Sequence, residues 1–303
     1  MTTIFSLGPF FATGVGPVMA AYVNSRKNWR WVQWVLIFFS VASYLFSLFQ
    51  SETYRKTILQ RRVKKLNLGP SHTVFRLANL RHTLAVVLLK PVRMLLTEPI
   101  VASFSIYISF SFSVLYSFLT AIPLVFGVVY GFTPEQQNLP FIAIAIGCLI
   151  AMPTQLVLDY VVYQRRSSVP ITRGEMKAVA PEQRLYGAMI GSIGLPVGIF
   201  WFAWSARIDV HWIVPIFSLI PFAWGNMLIF VSAVLYTVDV YQAANGASAV
   251  AANGLLRYVL GATFPLFTLQ MYQNLGFGWR AVCWDLLVSH YCLCPGPCSV
   301  GDQ

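Results

Sequence analysis

Seven stretches of the chain stay apolar for about the length of a membrane-spanning helix: roughly 5–23, 31–50, 99–127, 140–162, 186–205, 211–236 and 246–272. A bilayer core of about 30 Å needs about 20 consecutive apolar residues per helix, so each stretch predicts one helical span. None alternates polar and apolar residues over about ten positions, as the strands of a membrane barrel would. The longest polar interval, 51–98, separates two spans from the remaining five and reads as a connector between two parts of a bundle. Its run from Glu52 to Leu68 has the composition of a helix lying at a membrane surface, where Lys and Arg meet anionic lipid. A solvated connector is the simpler account of the same residues.

Composition strengthens this reading. Of 303 residues, 57% are hydrophobic and 10% charged, with a mean hydropathy of +0.66, outside the range of soluble globular chains. The formal net charge of +11 would suit a nucleic-acid-binding protein, but the basic residues lie between spans and not along a soluble face, so no nucleic-acid partner is expected. They report topology instead. If the first span starts in the cytoplasm, fifteen of the twenty-one Lys and Arg residues fall in loops on that side. Five (Arg26, Lys27, Arg30, Arg207 and Arg280) fall outside, and Arg257 lies within a span. The positive-inside rule therefore favours a cytoplasmic start. The first stretch carries Gly8, Pro9, Gly14, Gly16 and Pro17 with no basic leader, and reads as an internal helix, not a cleavable signal.

Within the later spans, Pro123, Pro153, Pro196, Pro221 and Pro265 each remove a backbone donor, which a membrane helix tolerates where neighbours or a water-filled cavity satisfy the freed carbonyl. Bent helices around a cavity suit a transporter and occur in receptors as well. Gly187, Gly191, Gly194 and Gly198 fall at spacings of four, three and four, which stacks them on one helical face and lets another helix approach closely.

Polar groups inside the spans are the candidates for function. A cation at mid-span costs at least about 2.5–3.5 kcal/mol unless it faces protein or water, so Arg257 is expected to face the bundle interior. Asn253 precedes it by one turn, and Asn226 lies near the middle of the preceding span, so Asn226, Asn253 and Arg257 are candidates for one polar substrate pathway. An interhelical hydrogen-bond brace explains them equally well. Asp159, Arg165 and Arg166 lie where the fourth span leaves the membrane, and Asp239 ends the sixth. Asp159, Arg165 and Arg166 are candidates for a cytoplasmic gate, with interfacial anchoring as the alternative; Glu98, before the third span, shares that ambiguity. The spans hold no nucleophile with a base, paired catalytic carboxylates, phosphate loop or zinc-type spacing, which disfavours an enzyme and implies no cofactor or metal. Cys283, His290, Cys292, Cys294 and Cys298 crowd the last stretch, a composition that also suits an external disulfide or a metal site, although the stretch carries no helical pattern.

The ordered series of motifs resembles the major facilitator superfamily, in its fungal drug:proton antiporter branch. Gly16-Pro17, with Gly14 nearby, is similar to the branch's fifth-helix antiporter motif, with Ala12, Ala20 and Ala21 standing where the family has glycines. Asn28-Trp29-Arg30-Trp31 through Trp34 resembles the approach to the sixth helix. Glu52-Thr53-Tyr54 with Arg61, Arg62 and Leu66 resembles the start of the central cytoplasmic loop, with Ser51 in place of the usual proline. Pro181-Glu182-Gln183-Arg184-Leu185 is similar to the start of the ninth helix and Gly225-Asn226 to the tenth. Asn253-Gly254 through Arg257, Gly261 and Phe264-Pro265-Leu266-Phe267 is similar to the eleventh. The likeness covers about residues 5–280.

This resemblance implies an all-α integral membrane fold of about seven transmembrane helices, equivalent to helices five to eleven of a twelve-helix fold whose substrate site lies between two halves. Residues 1–50 would be the last two helices of the first half, 51–98 the central loop, 99–272 five helices of the second half, and 273–303 an atypical cysteine-rich tail. Helices one to four and twelve are then expected to be missing, with a shifted frame or splice explaining the tail. Gly14, Gly16 and Pro17 would shape packing between the halves. The implied function is proton-coupled export of drugs, polyamines or secondary metabolites, with a small molecule, protons and the lipid bilayer as partners and the plasma membrane as the expected location. Coupling and alternating access need both halves, so an inactive fragment is compatible with the same resemblance; a seven-span receptor and a non-transporting truncated paralogue are the alternatives.

Overall fold

A computed structural model describes residues 2–50, 58–59, 62–63, 65, 89–164 and 181–274. Among these residues the regular structure is entirely helical. Six long α-helices carry the fold: α1 (Thr2–Arg26), α2 (Trp29–Leu48), α3 (Pro99–Val128), α4 (Phe141–Leu158), α5 (Tyr186–Ser205) and α6 (Ile213–Asn274). Six described segments, Ser6–Arg26, Trp29–Leu48, Pro99–Val128, Gln136–Val161, Gln183–Ser205 and Ile213–Tyr241, are long and apolar enough to cross a membrane. They match the first six predicted spans. The seventh, predicted at 246–272, lies inside α6.

The helical run of α6 doubles back on itself. In a straight helix, residues 27 apart would be separated by about 40 Å. Yet the Arg257 guanidinium lies 5.0 Å from the centre of the Phe230 ring. A Cβ placed on Gly246 would sit 3.7 Å from the Val238 carbonyl oxygen, where a straight rise would put them about 12 Å apart. α6 is therefore a hairpin, with its first arm ending near Tyr241 and its second running to Asn274.

Local sequence sets the helix boundaries. A helical stretch over 89–97 stops at Glu98, which precedes Pro99 and takes the extended conformation that a residue before proline favours (φ −104°, ψ 106°). Pro99 then opens α3 at the position where its missing N–H costs nothing. Past α3, Gly131 takes a left-handed backbone (φ 66°) and turns the chain. Tyr130 Oη donates to the carbonyls of Ser205 (3.2 Å) and Arg207 (3.1 Å), tying this loop to the end of α5. Burial raises the Tyr130 pKa, so the phenol stays a donor.

The chain divides into two compact units, Met1–Tyr22 with Lys90–Gln303, and Val23–Leu89. In the first, α3, α4, α5 and both arms of α6 enclose a core that includes Leu115, Ile122, Phe126, Ile144, Leu195, Phe222 and Leu228. Phe10 of α1 packs on Phe230 at 5.1 Å and on Phe112 at 6.3 Å between ring centres. Pro123, Pro153, Pro196, Pro221 and Pro265 all lie inside helices that continue past them. In the second unit, α2 buries none of its side chains. Its start carries two cation–ring contacts, Lys27 over Trp31 (5.8 Å) and Arg30 over Trp29 (5.7 Å), the composition of an interfacial anchor.

The four stacked glycines of α5 are buried and face the first arm of α6. A Cβ on Gly191 would meet the Gly225 carbonyl oxygen at 2.7 Å, and one on Gly225 would meet the Gly191 oxygen at 2.6 Å. A Cβ on Gly198 would stand 2.6 Å from Phe222. The predicted close packing is present, and its partner is the helix that carries Asn226.

Candidate functional site

Two polar assemblies stand out against this apolar frame. The first joins three helix ends on the side of the basic loops. Asp159 opens the π-helical turn Asp159–Gln164 after α4, Arg184 ends the 3-10 turn Pro181–Leu185 that leads into α5, and Asp239 lies near the end of the first arm of α6. Arg184 Nη1 donates to Asp159 Oδ1 at 2.5 Å and Arg184 Nε donates to Asp239 Oδ2 at 2.7 Å. The Arg184 side chain is 15% exposed, and the two carboxylates about a quarter. A planar guanidinium with donors along two edges can hold two carboxylates at once, which a lysine point charge cannot do with the same geometry.

The structure pairs Asp159 with Arg184, a contact that the sequence reading did not name. Arg165 and Arg166 lie outside the described residues, as do the cysteine-rich tail and most of the basic connector. Arg184 was legible only as a loop charge and as part of a motif. Its placement could have been inferred from topology, since Asp159, Arg184 and Asp239 all fall at span ends on the same predicted side.

The second assembly lies deep in the spans. Asn226 is 1% exposed and its Nδ2 donates to the Ser111 carbonyl oxygen of α3 at 2.8 Å. Thr268 Oγ1 of the second arm hydrogen-bonds Ser117 Oγ at 3.1 Å, and Ser232 Oγ meets Gln155 Oε1 at 3.3 Å, so α6 is braced against α3 and α4. Arg257 lies over three rings, with its guanidinium carbon 4.8 Å from the centre of Phe112, 5.0 Å from Phe230 and 4.9 Å from Tyr258. Its Nη2 donates to Tyr258 Oη at 3.2 Å, while its buried Nε has no hydrogen-bond partner. Asn253 is 5% exposed with Oδ1 likewise unpartnered.

The three predicted pathway residues are not hydrogen-bonded to one another. Asn226 is used in a helix–helix brace. Arg257 lies over Phe230, one turn beyond Asn226 on the same arm, and over Phe112, the neighbour of Ser111. The ring set was not foreseen from sequence. Replacing Asn226 with leucine is expected to lower stability by about 0.6 kcal/mol and at most about 1.7, the range of interhelical hydrogen bonds in membranes, measured by unfolding in detergent.

Of the predicted packing residues, Gly14 lies where α1 crosses α4, and a Cβ there would meet Ala145 N at 2.7 Å. Gly16 has nothing within 4 Å of its Cβ position, and Pro17 is half-buried beside it.

Long apolar helices, tight glycine crossings and charges that, Arg257 apart, gather near helix ends among the described residues define a multi-pass helical membrane protein. The family profile of the Major Facilitator Superfamily matches residues 1–265, and the chain belongs to that superfamily. It is 34% identical over 309 aligned positions to "Polyamine transporter 4" of Saccharomyces cerevisiae, covering 94% of this chain and 47% of that protein. It is 33% identical to "Efflux pump FUB11" of Gibberella fujikuroi, covering 92% of this chain and 49% of the relative. It is also 33% identical to "Major facilitator superfamily multidrug transporter mdrA" of Aspergillus fumigatus, over 92% and 46% respectively. The chain spans about half the length of these curated relatives. No solved structure matches it. The family match supports the transporter reading and gives none to a seven-span receptor.

Proposed function

We propose that this chain is part of a proton-coupled exporter of small organic molecules in the plasma membrane. Residues 1–50 supply the last two helices of a first half, 51–98 the central cytoplasmic loop and 99–272 most of the second half, followed by the tail at 273–303. The observation that carries the reading is the Asp159–Arg184–Asp239 assembly, which ties three helix ends where the basic loops emerge. Alternating access needs helices that hold together on one side in one state and separate in another, and a charge cluster at helix ends is a contact that water can loosen. Its named relatives, efflux pumps and a polyamine transporter, support the same reading. The candidate polar pathway runs along Asn226, Asn253 and Arg257, and Gly14, Gly16 and Pro17 form the antiporter-motif segment of α1, in which Gly14 makes the close approach to α4.

The test is export from a yeast strain depleted of its own efflux pumps. Expression of the chain is expected to lower the accumulation of a fluorescent drug, and a protonophore is expected to abolish the effect. If the protein inserts, reaches the cell surface and leaves accumulation unchanged both alone and when co-expressed with the first four helices of a relative, the transport reading fails and a non-transporting paralogue takes its place. Sidedness has its own measurement: protease should reach a tag in the 51–98 segment only after the membrane is opened.

A further inference from the structure

We propose that the Arg257 cluster recognises the carboxylate of an organic substrate that also carries a hydrogen-bond donor, and that it disfavours polycations. The inference rests on the transport reading for its biological setting, but its observations and its test are separate.

Charge comes first. Among the described residues Arg257 has no carboxylate partner; the two ion pairs there, from Asp159 and Asp239, both go to Arg184. Arg257 is thus a mid-span cation whose charge the protein does not neutralise, in a setting where desolvation is expensive. The rings of Phe112, Phe230 and Tyr258 offset part of that cost through their faces and fix the guanidinium in place. They leave its charge intact.

Geometry narrows the ligand. Of the five guanidinium donors, one meets Tyr258 Oη and the buried Nε meets nothing. The edge formed by Nε and a terminal nitrogen matches a carboxylate in a two-point contact, an arrangement that lysine does not reproduce. One turn away on the same helical face, Asn253 Oδ1 is an unpartnered acceptor at a residue 5% exposed. A carboxylate satisfies the first group, and a hydroxyl or N–H close to it on the same molecule satisfies the second. The surrounding rings favour a flat apolar body between those groups. A polyamine offers cations to a cation and leaves Nε unsatisfied.

A purely structural role predicts that Asn253 and Arg257 relieve each other by a rotamer change and need no ligand. Equilibrium binding to the full chain in lipid nanodiscs separates the two, with salicylate as the probe, benzamide and spermidine as competitors, and protein-free discs as the blank. Saturable salicylate binding is expected, with neither competitor displacing it at equal concentration. Arg257→Gln is expected to weaken binding at least about tenfold, Arg257→Lys by an intermediate factor, and Asn253→Ala by about threefold, from removal of one hydrogen bond. Asn253→Ala keeps the cation and its rings, so it tests the site even if Arg257→Gln does not fold. Absent salicylate binding by folded wild type, binding unchanged in folded Arg257→Gln, or equal competition by spermidine each overturns the assignment. Export of cationic or neutral drugs without salicylate binding would sink this inference and leave the transport reading intact; binding without any export would do the reverse.

Discussion

Arg184→Ala is expected to loosen the bundle at its basic-loop end and to cost about 1.5–3 kcal/mol for each of the two charge-assisted hydrogen bonds it removes, partly offset by hydration of the exposed carboxylates. The destabilisation arises because the substitution leaves Asp159 and Asp239 facing each other without the cation that both contact. Thermal unfolding in detergent would register it as a lowered midpoint. Arg184→Lys should recover only part, since an ammonium cannot present two donor edges in one plane. The triple variant Arg184→Ala with Asp159→Asn and Asp239→Asn should be more stable than Arg184→Ala alone, because the like charges have been removed. If Arg184→Ala unfolds at the same temperature as wild type, the assembly contributes nothing and the latch built on it fails.

Gly191→Leu is expected to be damaging too, by a different mechanism. The atom that a Cβ at this position would strike is the backbone oxygen of Gly225, 2.7 Å away, and a backbone carbonyl inside a helix cannot rotate aside. α5 and α6 would have to separate along the whole crossing, at Gly194 and Gly198 as well. Overpacking of this kind costs about 1–3 kcal/mol, occasionally more. Gly16→Ala serves as the control: its Cβ would meet nothing within 4 Å, and alanine favours helix over glycine by about 0.5–1 kcal/mol. The two variants should move the unfolding midpoint in opposite directions. An unchanged or raised midpoint for Gly191→Leu would mean that the α5–α6 crossing is not close-packed in the membrane.

The spans were legible because lipid imposes a length and a composition that can be read residue by residue. The glycine face of α5 was legible for a related reason: spacing alone determines which positions share a helical face, and small residues there have one main use in a membrane. Contacts between distant segments were not. Nothing marks Phe112 or Phe230 as a partner of Arg257 in a chain with 23 phenylalanines, since any of them can line a helix interior. The sequence placed Arg257 inside the bundle on energetic grounds, and the structure supplies the surface against which it rests. Asp159 was recognised as a gate candidate from its place at a span end. Arg184 was overlooked as its partner because 25 residues separate them and the more obvious basic pair, Arg165 and Arg166, lies closer in the chain.

The order of segments along the hairpin also bears on how the protein is made. A chain inserted from its amino end delivers α3, with Phe112, and the first arm of α6, with Phe230, before the second arm leaves the ribosome. Tyr258 emerges one residue after Arg257. Two of the three rings that shelter the guanidinium, Phe112 and Phe230, therefore precede it, so the arm least suited to partition alone can enter against a prepared protein surface instead of bare lipid.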